Sequence, residues 1–189
     1  MSSPTPHVPR QSAADRLADL AEGPAAADGL ATAVTAARRR RRRDGDRQID
    51  TAHLLHALIE SDERVRAAFG GREQADRVLG YLVQRSIGYG LRWRGAVEDS
   101  GAVPFAPDAD VAGWSPAAVA ALERALARAA RRGDPQATGL DLLAGLAADP
   151  ACRAVDVLTR AGVDAALLAG RIDDLIRPPS QQVSQPLRS

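Results

Sequence analysis

"TAHLLHALIESDERVRA", residues 51–67, is a pattern this chain uses twice. It returns 87 residues later as "TGLDLLAGLAADPACRA", residues 138–154. Thr51 then stands opposite Thr138, Leu55 opposite Leu142, Ala57 opposite Ala144, Ile59 opposite Leu146, Asp62 opposite Asp149 and Arg66 opposite Arg153. In the first copy Thr51 is the expected cap of a helix whose buried stripe is Leu54, Leu55, Leu58 and Ile59.

The flanks repeat as well. Upstream of the first copy, "DGLATAVTAARRRRRR" from Asp28 spaces Leu30, Ala33, Val34 and Ala37 as a helix, and Asp44-Gly45-Asp46 stops it. Upstream of the second, Ser115-Pro116 supplies a cap and a first-turn proline for "AAVAALERALARAARR", which Gly133-Asp134-Pro135 ends. Downstream of the first copy, Gly70-Gly71 closes a short helix. A fourth, "EQADRVLGYLVQRSI", turns Val78, Leu79, Leu82 and Val83 inward. The second copy predicts helices over about 138–148, 151–161 and 164–176, with Gly170 opposite Gly80. Each half is thus a long helix, a capped helix, a short helix and a fourth helix, a duplicated unit that buries one shared interface.

The boundaries this implies are a leader over 1–27, a first repeat over 28–87, a connection over 88–113, a second repeat over 114–176 and a disordered tail over 177–189. The leader carries Pro4, Pro6 and Pro9, then a short helix to about Glu22 that Ser12 caps and Pro24 ends. The connection is rich in Gly, Pro and Asp and lacks periodicity.

Composition agrees with helices. Of 189 residues 45% are apolar but only 3% aromatic, so the core is built from Ala, Leu and Val in close helix–helix contact. No apolar run is long enough to span a membrane, and no signal peptide is evident. The lone Cys152 excludes an internal disulfide and fits a reducing cytoplasm. Every basic residue is Arg, as GC-rich codon usage produces. Residues 38–47 hold seven Arg and two Asp, a local +5, so a chain of net +1 is −4 elsewhere.

The order of a long helix, "IDTAHLLHALIE" and "ADRVLGYLV" resembles the N-terminal repeat domain of Clp unfoldases, the ClpC type above all. "GWSPAAVAALERAL", with Trp114 at the aromatic position, resembles that family's entry to its fifth helix. "RAVDVLTRAGVDAALLAGRIDDLI" is similar to its repeat ending. The resemblance spans about 28–176. It implies an all-α fold of two tandem four-helix Clp repeats with pseudo-twofold symmetry, about eight helices plus the short N-terminal one.

The resemblance also implies function. No GxxxxGK[ST] phosphate loop is present, so the expectation is a free-standing repeat domain that binds without unfolding. In the family this domain binds substrates and adaptors, recognises phosphoarginine and docks antibacterial cyclic peptides. The carboxylates that would hold a phosphoarginine map onto Ala52 and Gly139, so the forked pairing is lost. The peptide-docking face maps onto Ala31, Val34, Thr35 and Arg38 of the first helix and Trp114, Val119 and Glu123 of the fifth. Val119 departs from the family, which usually has a basic residue there. Trp114 has two readings: an anchor for an apolar peptide, or a staple of the fifth helix to the core. The expected partners are peptides or cyclic peptide natural products, or Clp machinery and its substrates. The expected roles are a decoy sequestering such antibiotics, or an adaptor or competitor.

Catalysis and cofactors are not expected. His53 and His56 stand three apart, against the four of the helical zinc motif, and lack further ligands; His53 matches the family's packing histidine. "GWSPA" has proline where a nucleophile elbow needs glycine, and Cys152 has no histidine partner in view.

Six consecutive arginines follow the first helix's apolar stripe: Arg38, Arg39, Arg40, Arg41, Arg42 and Arg43. Six helical residues turn through about 600°, so some must face the protein body, Arg41 foremost because it lies four beyond Ala37. One reading is a solvated helix end matched to the macrodipole. The alternative is a nucleic-acid-binding regulator making salt-sensitive phosphate contacts. The interleaved aromatics of a single-strand binder are missing, Tyr89 and Trp93 being remote.

Overall fold

The computed structural model describes residues 28–86, 98 and 113–177. The leader and the short helix expected in it, Tyr89, Trp93, nearly all of the connection and the tail beyond 177 lie outside the described residues. Within them are eight helices: α1 (Asp28–Asp44), α2 (Thr51–Ser61), α3 (Glu63–Ala68), α4 (Arg72–Ser86), α5 (Pro116–Arg132), α6 (Gly139–Ala147), α7 (Arg153–Arg160) and α8 (Ala165–Ile176). The fold is all-α, and the single β-type contact among the described residues is a parallel bridge between Ile49 and Trp114.

The helix pairs in contact reveal the symmetry. α1 packs on α2 as α5 packs on α6, and α2 meets α4 as α6 meets α8. Across the repeats the same pairing holds: α1 with α6 mirrors α5 with α2, α2 with α7 mirrors α6 with α3, and α4 with α7 mirrors α8 with α3. Among the main helix pairings of the described residues, α2 against α6 is its own counterpart, so these two helices lie about the pseudo-twofold axis. Their composition requires it, since every residue from Thr51 to Ile59 and from Gly139 to Leu146 is buried.

Local chemistry explains the boundaries. α1 and α5 both end at a left-handed glycine, Gly45 and Gly133. In each case the next residue's N–H returns to the helix, Asp46 to the Arg41 carbonyl and Asp134 to the Ala129 carbonyl. Ser115 caps α5 through its hydroxyl and Pro116 opens it. The cap of α2 is Asp50 and not Thr51: Asp50 accepts from the His53 N–H, and His53 answers in a capping box. Thr138 does this for α6 with Asp141.

That difference shifts the repeat by one residue. Caps and chain-reversing glycines align at 88 residues, Asp50 with Thr138 and Gly45 with Gly133. The 87-residue register matched more identities because Ala, Leu and Asp are common here. Ala52 therefore corresponds to Leu140, both second in their helices, and not to Gly139. The fourth helices do align as expected: Ala75, Val78 and Leu82 line one face of α4, as Ala165, Leu168 and Ile172 line α8, leaving Gly80 and Gly170 both outside. Val83, expected inside, is exposed. It stands one residue past the buried stripe, where the helix faces water.

Candidate docking face and inter-repeat junction

α1 and the entry to α5 meet through Trp114. Its backbone neighbours bond to Ile49 on both sides: the Ile49 N–H donates to the Gly113 carbonyl at 2.8 Å, and the Ser115 N–H to the Ile49 carbonyl at 2.9 Å. This two-bond clamp presses the indole inward to 6% exposure. The Arg38 guanidinium lies 5.9 Å above the ring centroid, a cation–π cover supplied by α1.

The seven residues of the inferred docking face divide by depth. Val34, Trp114 and Val119 belong to the core, at 1%, 6% and 3% exposure. Ala31, Thr35 and Arg38 are half-buried along one stripe of α1, and Glu123 is exposed on α5. The stripe flanks an aromatic over which Arg38 lies.

The arginine run divides similarly. Arg40 pairs with Glu60 of α2 and has a side chain only 10% exposed, against 66% for Arg43. Arg41, expected to face inward, is half-buried and donates to the Arg47 carbonyl at 3.0 Å, bracing the turn after α1. Arg39, Arg42 and Arg43 are exposed.

The junction between repeats is built on a residue whose sequence context carries no periodic signal. Glu98, from the connection, is 5% exposed. Its carboxylate accepts from the Thr51 N–H at 2.8 Å, the Thr51 hydroxyl, the Ser115 hydroxyl at 2.8 Å and the Arg153 N–H at 2.7 Å. One anion thereby serves the N-termini of α2, α5 and α7, where unpaired N–H groups and the positive dipole ends converge. Alongside, Arg153 bonds the α2 cap Asp50 at 2.7 Å, and the Ala154 N–H donates to the Thr51 hydroxyl at 3.0 Å.

Ionisable groups elsewhere are tuned by burial and pairing. Burial lowers the His56 pKa to about 4, aided by Arg40, so this imidazole is neutral at pH 7. Burial works against ionising Asp141. The forked bond from Arg132 and the bonds from Thr138 outweigh it and hold the carboxyl below its ordinary value. Cys152 sits at the α7 N-cap, yet burial pushes its thiol up to about 11, so it is no nucleophile at neutral pH. A cleft of about 270 Å³ lined by Arg128, Arg131, Arg132, Asp173, Ile176 and Arg177 lies where α5 and α8 end. Its basic groups are largely engaged, Arg128 with Asp173 at 2.6 Å and Arg132 with Asp134 and Asp141.

No family model and no curated protein sequence matches the chain. Solved structures do. The N-terminal domain of the caseinolytic protease associated chaperone ClpD from Arabidopsis thaliana superposes with a TM-score of 0.60 at 18% identity, covering 82% of this chain and 96% of that one. A chain from a malarial protein secretion system superposes at 0.54 with 18% identity, covering 80% and 97%. The class is thus fixed by the architecture: a helical double repeat folded about a pseudo-twofold. The chain has the fold of a Clp N-terminal domain.

Proposed function

We propose that the chain is a non-catalytic peptide-binding module of the Clp N-terminal type. The observation that carries this reading is the juxtaposition of α1 with the α5 entry: a small-residue stripe, Ala31 and Thr35, beside an aromatic covered by the Arg38 guanidinium. An apolar or cyclic peptide settling on the stripe would gain the Trp114 face as Arg38 moves off, an anchor of the kind that dominates small interfaces. Ala52 and Leu140 are uncharged and buried, so the guanidinium of a phosphorylated arginine finds no carboxylate acceptor at these positions. That favours sequestration of cyclic peptides, a decoy acting by mass action, over capture of marked protein substrates.

Titrating the protein with a cyclic peptide that docks on Clp N-terminal domains, while following tryptophan fluorescence, tests this. Saturable binding is expected, and Thr35→Arg should weaken it at least tenfold without changing the melting temperature. Unchanged affinity in Thr35→Arg, or no binding at high micromolar peptide, would overturn it. The nucleic-acid reading draws less support, because Arg38, Arg40 and Arg41 are engaged within the fold. It requires salt-sensitive binding to a DNA duplex that disappears when Arg39, Arg42 and Arg43 become Gln.

A further inference from the structure

The turn between α1 and α2 sets two carboxylates against a histidine. Asp44 ends α1, Asp46 follows the left-handed Gly45, and His53 is the third residue of α2. One oxygen or nitrogen from each lies within 4.8 Å of the others. His53 Nε2 is 3.1 Å from Asp46 Oδ2 and 3.8 Å from Asp44 Oδ2. The imidazole is fully buried, and Nε2 makes no hydrogen bond although it is aimed at both acids. Arg43 approaches Asp44 at 3.7 Å, but through Oδ1, leaving Oδ2 turned to the histidine.

The second repeat shows what this position demands. The residues 88 further on are Arg132, Asp134 and Asp141. There Arg132 is the cation, bonded to Asp134 at 2.8 Å and forked onto Asp141 at 2.6 and 2.8 Å. The first repeat replaces the arginine by Asp44 and the Asp141 carboxylate by an imidazole. Two acids and a ring nitrogen now converge where the sister repeat seats a guanidinium. That is a set of metal ligands.

We propose that Asp44, Asp46 and His53 bind a first-row divalent cation. One imidazole nitrogen and two carboxylate oxygens suit Zn²⁺ or Co²⁺ better than Ca²⁺ or Mg²⁺, which take mainly oxygen. Donor separations of 3.1 and 3.8 Å bracket the about 3.4 Å edge of a tetrahedron with about 2.1 Å bonds. Without metal, Nδ1 accepts from the Asp50 N–H at 3.1 Å in the capping box. Metal at Nε2 puts the ring proton on Nδ1 and exchanges that bond for donation to Asp50 Oδ1, 2.7 Å away, the carboxylate–histidine pairing that orients metal ligands. Asp50 is itself held by Arg153, so the chain of contacts runs from the ion into the second repeat. Asp46 is 31% exposed, which gives the ion a way in and room for water in the remaining coordination position.

The test is to treat the protein with EDTA, exchange it into clean buffer, and titrate with Co²⁺ by visible absorbance and Zn²⁺ by calorimetry. One Co²⁺ per chain with ligand-field bands, displaced by Zn²⁺, is expected, and the melting temperature should rise with metal concentration. Asp46→Asn, at the open rim, should weaken binding at least tenfold while the metal-free protein melts as the wild type does. Asp44→Asn, a second variant, should do the same. Binding that survives both substitutions places the ion elsewhere and overturns the proposal. So does an absence of binding up to millimolar metal, which means that Nε2 keeps a proton against Asp46.

Discussion

Two glycines on helices show how one substitution changes sign with its surroundings. A Cβ on Gly145 would lie 2.5 Å from the Ala121 carbonyl oxygen, so α5 and α6 touch only because that side chain is absent. Gly145→Ala should force the helices apart and cost about 1–3 kcal/mol, read as a lower urea midpoint. A Cβ on Gly80 meets nothing within 4 Å, and Gly80→Ala should stabilise by about 0.5–1 kcal/mol through helix propensity. His56 sets the acid limb. Its unfolded pKa is 6.5 and its folded value about 4, so between them the unfolded chain binds a proton the folded one refuses. Stability from this group is complete above pH 6.5 and falls as pH drops towards 4, by on the order of 3 kcal/mol, and His56→Gln should flatten that part of a pH–stability profile. Asp141, its pKa lowered, acts below this window, losing its contribution only as pH falls through its folded value. Trp114 was conspicuous in the sequence, but an aromatic ahead of a helix reads alike as anchor or staple. The indole is buried next to a backbone clamp onto Ile49, 65 positions away, so Trp114→Ala should cost about 3–5 kcal/mol of stability whether or not the ring also anchors a ligand, and cannot by itself probe a ligand site.

Helices were legible where their boundaries are chemical. Ser115-Pro116 and Gly133 mark α5 without ambiguity, and the apolar stripes of α2, α4 and α6 have the right period. The cap of α2 was misplaced by one, since Asp50-Thr51 offers two good caps in succession and only the returning His53 side chain selects the aspartate. The Thr138–Asp141 capping box, with its T-x-x-D spacing, starts α6 one residue inside the expected span. Glu98 was not readable, because nothing in a Gly- and Pro-rich stretch distinguishes an acid that seats on three helix ends from one that faces water. Its prediction belongs to the elements it joins. Glu98→Ala leaves the Thr51 and Arg153 amides and the Ser115 hydroxyl without their acceptor and should cost about 2–4 kcal/mol. Loss of protection at the first turns of α2, α5 and α7 together, seen by hydrogen exchange, would identify the shared junction. Loss at only one of them would contradict it.

At the scale of the molecule, duplication was legible and its consequence was not. The repeat forecast two similar halves. That the second helices lie on the axis, with the other main helix pairings between repeats occurring in mirrored pairs, follows from α2 and α6 being buried on all sides and thus needing cover from both repeats. The same symmetry exposes the differences that matter: a guanidinium clamp in one repeat faces an acid–histidine cluster in the other, and a covered tryptophan stands beside a stripe of small residues on α1. The docking residues were inferred from a family resemblance, and the structure assigns them depths that resemblance had no means to supply. The central claim is that peptides settle on α1 beside the α5 entry. Hydrogen exchange with and without a Clp-directed cyclic peptide tests it most directly. The account predicts new protection in residues 30–39 and 113–123, with α4 and α8 unchanged. Protection confined to α4 and α8, or none anywhere at saturating peptide, would contradict it.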